Sequence, residues 1–152
     1  MTERLEVQRT INADASTIFD VVSSPRGHVD IDASGMLMDA TGEPATKVGD
    51  TFVVHMDRES LNDYPLGKYD VVITIVTFEQ DREIAWTPGG QLNLNHVYGY
   101  RLEPTDGGTL VTSYYDWSTV SDEWKAVFPI ISETGLRATL GILARTVEPR
   151  RS

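Results

Sequence analysis

The chain has no cysteine among its 152 residues, which excludes disulfides, thiol nucleophiles and thiolate metal sites. A reducing cytosol suits such a chain, and a cytoplasmic location is the expectation. Long apolar runs are missing too, with nothing approaching the roughly 20 residues that cross a bilayer. The opening Met1-Thr2-Glu3-Arg4-Leu5-Glu6 places charges where a secretory leader needs an apolar segment. Neither export nor integral membrane association is expected. Basic charge is scarce: 13 Lys and Arg stand against 23 Asp and Glu, for a net charge of −10. Such a surface repels phosphate backbones, so nucleic acid is not an expected partner. The one basic cluster, Arg145, Arg150 and Arg151, complements the dipole at a helix C-terminus more simply than it binds RNA. The acidity is a solubility property.

Histidine is sparse and scattered, at His28, His55 and His96. No His-Glu-x-x-His spacing is present, and Asp30 with Asp32 is too little for a calcium loop. Gly89-Gly90 and Gly107-Gly108 sit in hairpin positions, not between a strand and a helix as a phosphate loop requires. No serine has nucleophile-elbow surroundings. Neither metal nor cofactor is expected.

What is present reads as an ordinary globular chain, with 40% hydrophobic and 24% charged residues. No repeat or linker interrupts it, so one domain over residues 1–152 is expected. Residues 3–11 alternate, with Leu5, Val7 and Arg9 on one face and Glu6, Gln8 and Thr10 on the other, as in a strand. Asn12 or Asp14 then caps a short amphipathic helix carrying Ile18, Phe19, Val21 and Val22. Ser24-Pro25-Arg26-Gly27 breaks it, and His28 to Gly35 has room for one more helical turn.

Strand patterns fill the middle: Met36–Thr41, Thr51–Arg58, Tyr69–Phe78, Glu83–Thr87, His96–Glu103 and Thr109–Trp117. Turn chemistry at Thr87-Pro88-Gly89-Gly90 and Pro104-Thr105-Asp106-Gly107-Gly108 separates the last three. From Ser121 the period becomes helical. Ser121 caps, and Asp122 and Glu123 occupy the first turn. One apolar stripe runs Trp124, Val127, Phe128, Ile131, Gly135, Ala138 and Ile142, and a second runs Leu136, Leu140, Leu143 and Val147. Pro129 must kink this helix or restart it. The wide arc predicts a helix covered on most sides. The order is α+β: a curved antiparallel sheet of about six or seven strands around a long C-terminal helix, with two short helices after the first strand. A sheet that curls around a helix without filling the gap leaves a ligand cavity.

Val48-Gly49-Asp50-Thr51-Phe52, Ile84-Ala85-Trp86, Tyr100-Arg101-Leu102-Glu103-Pro104, Gly107-Gly108-Thr109-Leu110-Val111-Thr112 and Tyr115-Asp116-Trp117 occur in that order. Together they resemble the polyketide cyclase/dehydrase branch of the START-like (SRPBCC) superfamily. Pro25 to Gly35, with His28, Ile31, Asp32 and Ser34, resembles a subgroup of it. The resemblance covers nearly the whole chain and implies the helix-grip fold. Because that superfamily includes carriers, cyclases, hormone receptors and chaperone co-factors, it implies no single reaction.

Candidate side chains follow from strand phase. His55 lies opposite Phe52, Val54 and Met56, two residues from Asp57; on a concave face it is a candidate base, on a convex one a solvated histidine. Tyr98 and Tyr100 share a face with Leu102 and are expected to point inward, able to bond a ligand carbonyl or phenol, or simply to fill the core. His96 shares their phase, but its place at a strand end favours exposure. His28 and Asp32, four apart, could gate a cavity mouth or tie a loop. On the last strand Val111, Ser113, Tyr115 and Trp117 are expected inside and Asp116 outside. Catalytic candidates are thus His28, His55, Tyr98 and Tyr100; candidate ligand contacts are Trp86, His96, Tyr115, Trp117, Trp124, Phe128 and Ile131. The leading expectation is binding or transport of an apolar, aromatic or lipid-like small molecule by a monomer or homodimer. The alternatives are a polyketide cyclase/dehydratase and a protein-interaction module of the chaperone-activator type.

Overall fold

Among the described residues, seven antiparallel strands form one sheet in the order β1-β7-β6-β5-β4-β3-β2. The computed structural model describes residues 3–149 apart from 64, 91 and 92, so Arg150 and Arg151 lie outside the described residues. The elements run β1 (Arg4–Ile11), α1 (Ala15–Val22), α2 (Pro25–Asp30), β2 (Leu37–Thr41), β3 (Thr51–Asp57), β4 (Lys68–Glu79), β5 (Glu83–Gly89), β6 (Val97–Thr105), β7 (Gly108–Asp116), α3 (Asp122–Lys125) and α4 (Glu133–Val147). β2 to β7 form a meander, and β1 closes it against β7 with Val7 opposite Ser113. The curved sheet and terminal helix match the expected α+β order.

Local chemistry explains most boundaries. Ser24-Pro25, read as a breaker, follows the end of α1 at Val22 and also opens α2: Ser24 is the N-cap, accepting from the Gly27 amide, and Pro25 occupies the first turn, where its missing N–H costs nothing. Asp106-Gly107 is the two-residue link of the β6–β7 hairpin, with Thr105 opposite Gly108. Pro88 and Gly89, read as a turn, belong to β5. They pair with Ile73 and Val72 of β4, whereas of β5 only Glu83 to Trp86 pair with β6; Pro88 therefore lies where, among the described residues, only one side of the strand is in a ladder.

The C-terminal helix is shorter than its apolar pattern suggests. Residues 122–125 form α3, and α4 starts afresh beyond Pro129, capped by Ser132 accepting from the Gly135 amide at 3.0 Å. Only Leu136, Leu140, Leu143 and Ala144 of α4 are buried. Ala138, on the other expected stripe, is exposed, so this helix has an open outer side. It packs on β1 and β7, while α2 packs on β2 and β3. The middle of the concave face is left between them. A bulge between Ile75 and Thr77 in the β4–β5 ladder bends the sheet at that point.

Candidate functional site

A pocket of about 210 Å³ opens on this middle stretch. Its floor comes from alternate residues of the strands: Val54 and Met56 of β3, Ile73 of β4, Trp86 of β5, Tyr98 and Tyr100 of β6, and Ser113 of β7. One wall is α2 and the loop after it, with His28, Ile31 and Asp32. Ile131, Leu136 and Thr139 form the other.

His28 is buried. Its Nε2–H donates to the Val22 carbonyl at 2.8 Å, which leaves Nδ1 as the bare nitrogen of a neutral ring. Burial pushes the imidazole down to about 4, against a smaller opposing effect of the Val22 bond. The ring stands edge-on to Trp86 at 4.6 Å and to Phe52 at 5.1 Å. Asp32 does not bond His28. Its Oδ1 accepts from the Ser34 amide and hydroxyl, and its Oδ2 from the Gly35 and Leu37 amides, which fastens the loop at the pocket rim.

Tyr98 stacks on Trp86 with centroids 5.9 Å apart and planes 12° from parallel. Tyr100 tilts against the same indole at 5.7 Å. Burial raises both phenols above their ordinary range, and the Asp32 charge adds to the rise at Tyr100. Behind the pocket the Tyr98 ring lies against that of Tyr115, with centroids 4.4 Å apart. Tyr115 in turn is joined to His96 Nδ1 at 2.6 Å.

His96 is not exposed as its strand-end position suggests: it is 6% accessible, and Phe128 stands edge-on to it at 5.3 Å. Burial pushes its imidazole down to about 4. Trp117 packs beside Tyr115 within the core, and Asp116 faces outward to Arg4. Thus His28, Trp86, Tyr98, Tyr100 and Ile131 meet at the pocket, while His96, Tyr115, Trp117 and Phe128 form an aromatic cluster behind it.

Two candidates fall elsewhere. Trp124, within the four-residue α3, is 37% exposed and does not line the pocket. His55 sits on the convex face, where Nδ1 bonds Asp70 at 2.8 Å and Nε2 bonds the Thr41 hydroxyl at 2.7 Å. Asp70 is its direct cross-strand partner, so the trio laces β2, β3 and β4 together outside the pocket. Alternation along β7 places Ser113 inward, yet Ser113 is not among the candidate site residues above. A hydroxyl at a phase that calls for an apolar side chain was the available signal.

No family model matches the chain, and no curated protein matches it. Solved structures do. Protein CV1439 from Chromobacterium violaceum superposes with a TM-score of 0.71 at 14% identity, covering 97% of this chain and 99% of that one. The AHSA1-like protein from Aeromonas hydrophila gives 0.63 at 14% identity over 93% and 90%. The Aha1 dimer from Colwellia psychrerythraea gives 0.63 at 15% identity over 95% and 96%. The fold is helix-grip. At such identities the likeness concerns the path of the backbone, and the pocket lining is this chain's own.

Proposed function

We propose that the protein reversibly binds an apolar, ring-bearing small molecule in the pocket between the concave sheet and α4, as a carrier or sequestering protein. The observation behind this is the lining: aromatic and aliphatic side chains around about 210 Å³, interrupted by a few polar groups. A dry cavity of about 150 Å³ takes benzene, so this one suits a substituted single ring or a compact bicycle. Titration with 2-naphthol, followed by tryptophan fluorescence, tests it. Saturable binding is expected, weakened at least about tenfold in Ser113→Phe, which fills the floor. No saturation, or equal affinity in a variant with unchanged circular dichroism, refutes the reading.

A cyclase or dehydratase of the polyketide type is the second reading. The buried hydrogen bond between Tyr115 and His96, with the Tyr98 ring against Tyr115, supports it, since proton transfer needs donors and acceptors in mutual reach. Under that reading the Tyr98→Phe, Tyr100→Phe double variant loses turnover of an aromatic polyketone. An interaction module of the chaperone-activator type has Trp124, Val127 and Ile130 in its favour, exposed at 37%, 58% and 57% ahead of α4.

A further inference from the structure

Among the described residues, His28 Nδ1 and the hydroxyls of Tyr100 and Ser113, all at the pocket, have no protein partner. The Val22 bond uses His28 Nε2–H, so Nδ1 remains as an acceptor. The Tyr100 hydroxyl, on a residue 6% exposed, makes no hydrogen bond, and neither does the hydroxyl of Ser113, its cross-strand neighbour at 3%. Among the described residues no enclosed side-chain nitrogen or oxygen lacks a partner. These atoms therefore face open space, and all three residues line the pocket.

Charge is handled differently. No Lys or Arg among the described residues lines the pocket, and Asp32 is the only charged side chain that does. Its four hydrogen-bond positions are filled by the loop it fastens. The guanidinium of Arg58 reaches Met36 Sδ at 3.4 Å, but it also grips both oxygens of Asp63 at 2.8 Å. An anion entering this pocket meets no counter-ion and faces the Asp32 charge; a cation meets only that charge at the rim, on oxygens already taken by loop donors. Either would lose more hydration than the pocket returns.

Resting on the binding reading above, we infer that the pocket selects an uncharged aromatic molecule. Its O–H or N–H goes to His28 Nδ1, and its oxygen accepts from the Tyr100 hydroxyl. Fatty acids, aryl carboxylates and aryl amines in their charged forms are turned away.

The test titrates the intact chain at pH 7 with five ring compounds, reading the indole N–H cross-peak of Trp86. These are para-hydroxyacetophenone, which has both groups; para-methylacetophenone, without the donor; para-ethylphenol, without the carbonyl; para-hydroxybenzoate, an anion; and tyramine, a cation. The first should bind about three- to tenfold tighter than the second and third, the range of one neutral hydrogen bond. The two ions should bind at least about a hundredfold more weakly than the first. Tyr100→Phe should erase the advantage over para-ethylphenol and leave para-ethylphenol itself unchanged. Silence from all five overturns the binding reading and this inference with it. If the neutral compounds bind but para-hydroxybenzoate or tyramine matches them, or Tyr100→Phe weakens all alike, the inference alone falls. The wild-type comparison decides the matter even if the variant fails to fold.

Discussion

His28 couples the pocket wall to acid stability. An imidazole in the unfolded chain titrates near 6.5, while burial holds His28 at about 4 in the fold. Between those values the unfolded state binds more protons than the folded one, so stability falls as pH drops from about 6.5 toward 4 and levels off below. Above 6.5 the penalty is absent. The gap of about 2.5 pH units, at about 1.4 kcal/mol each, is about 3 kcal/mol. His28→Gln removes the titration and keeps an N–H able to reach the Val22 carbonyl. Urea unfolding of both proteins at several pH values from 7 to 4 measures the effect. The wild type should lose about 3 kcal/mol more than the variant across that range. His96 and the carboxylates titrate in both proteins, so their contributions cancel in the difference. Parallel stability curves would refute the assignment of His28 as a neutral, buried group.

Two further outcomes follow from geometry. A Cβ on Gly99 would lie 2.2 Å from Cζ of Tyr114, the tyrosine opposite it on the outer face. Gly99→Ala should therefore cost about 2 kcal/mol, read as a lowered Tm, because the ring must leave its seat beneath Arg4. Asp32→Ala strips four donors of their acceptor at the pocket rim. Amide hydrogen exchange at Ser34, Gly35 and Leu37 should quicken at least about tenfold, with exchange at Leu140 unchanged; equal protection in both proteins would refute the loop-tie role.

Alternation alone groups the residues of the pocket floor, and for β6 and β7 it also gives the inward side, while it leaves the facing of β3 open. Phe52, Val54 and Met56 share a phase and so do Val111, Ser113, Tyr115 and Trp117, and those phases are the concave ones. In a pleated strand the neighbours along the chain decide which way a side chain points. Where facing depends on what arrives from elsewhere, the strings misled. His96 looked exposed until Phe128, 32 positions later, covered it. Trp124 and Ala138 fit an apolar helical stripe, yet both are exposed. His55 took Asp70 as its partner across the β3–β4 ladder, not the nearby Asp57.

By itself the amino-acid order determined most of the elements, their α+β succession and which residues of each strand share a face, because backbone periodicity and turn chemistry act over a few residues. Tertiary structure decided that α2 and α4 settle at opposite ends of the sheet and leave the space between them. It also decided which polar atoms there stay unpaired. Both depend on contacts between segments far apart in the chain, and no local pattern encodes the distance between two packed elements.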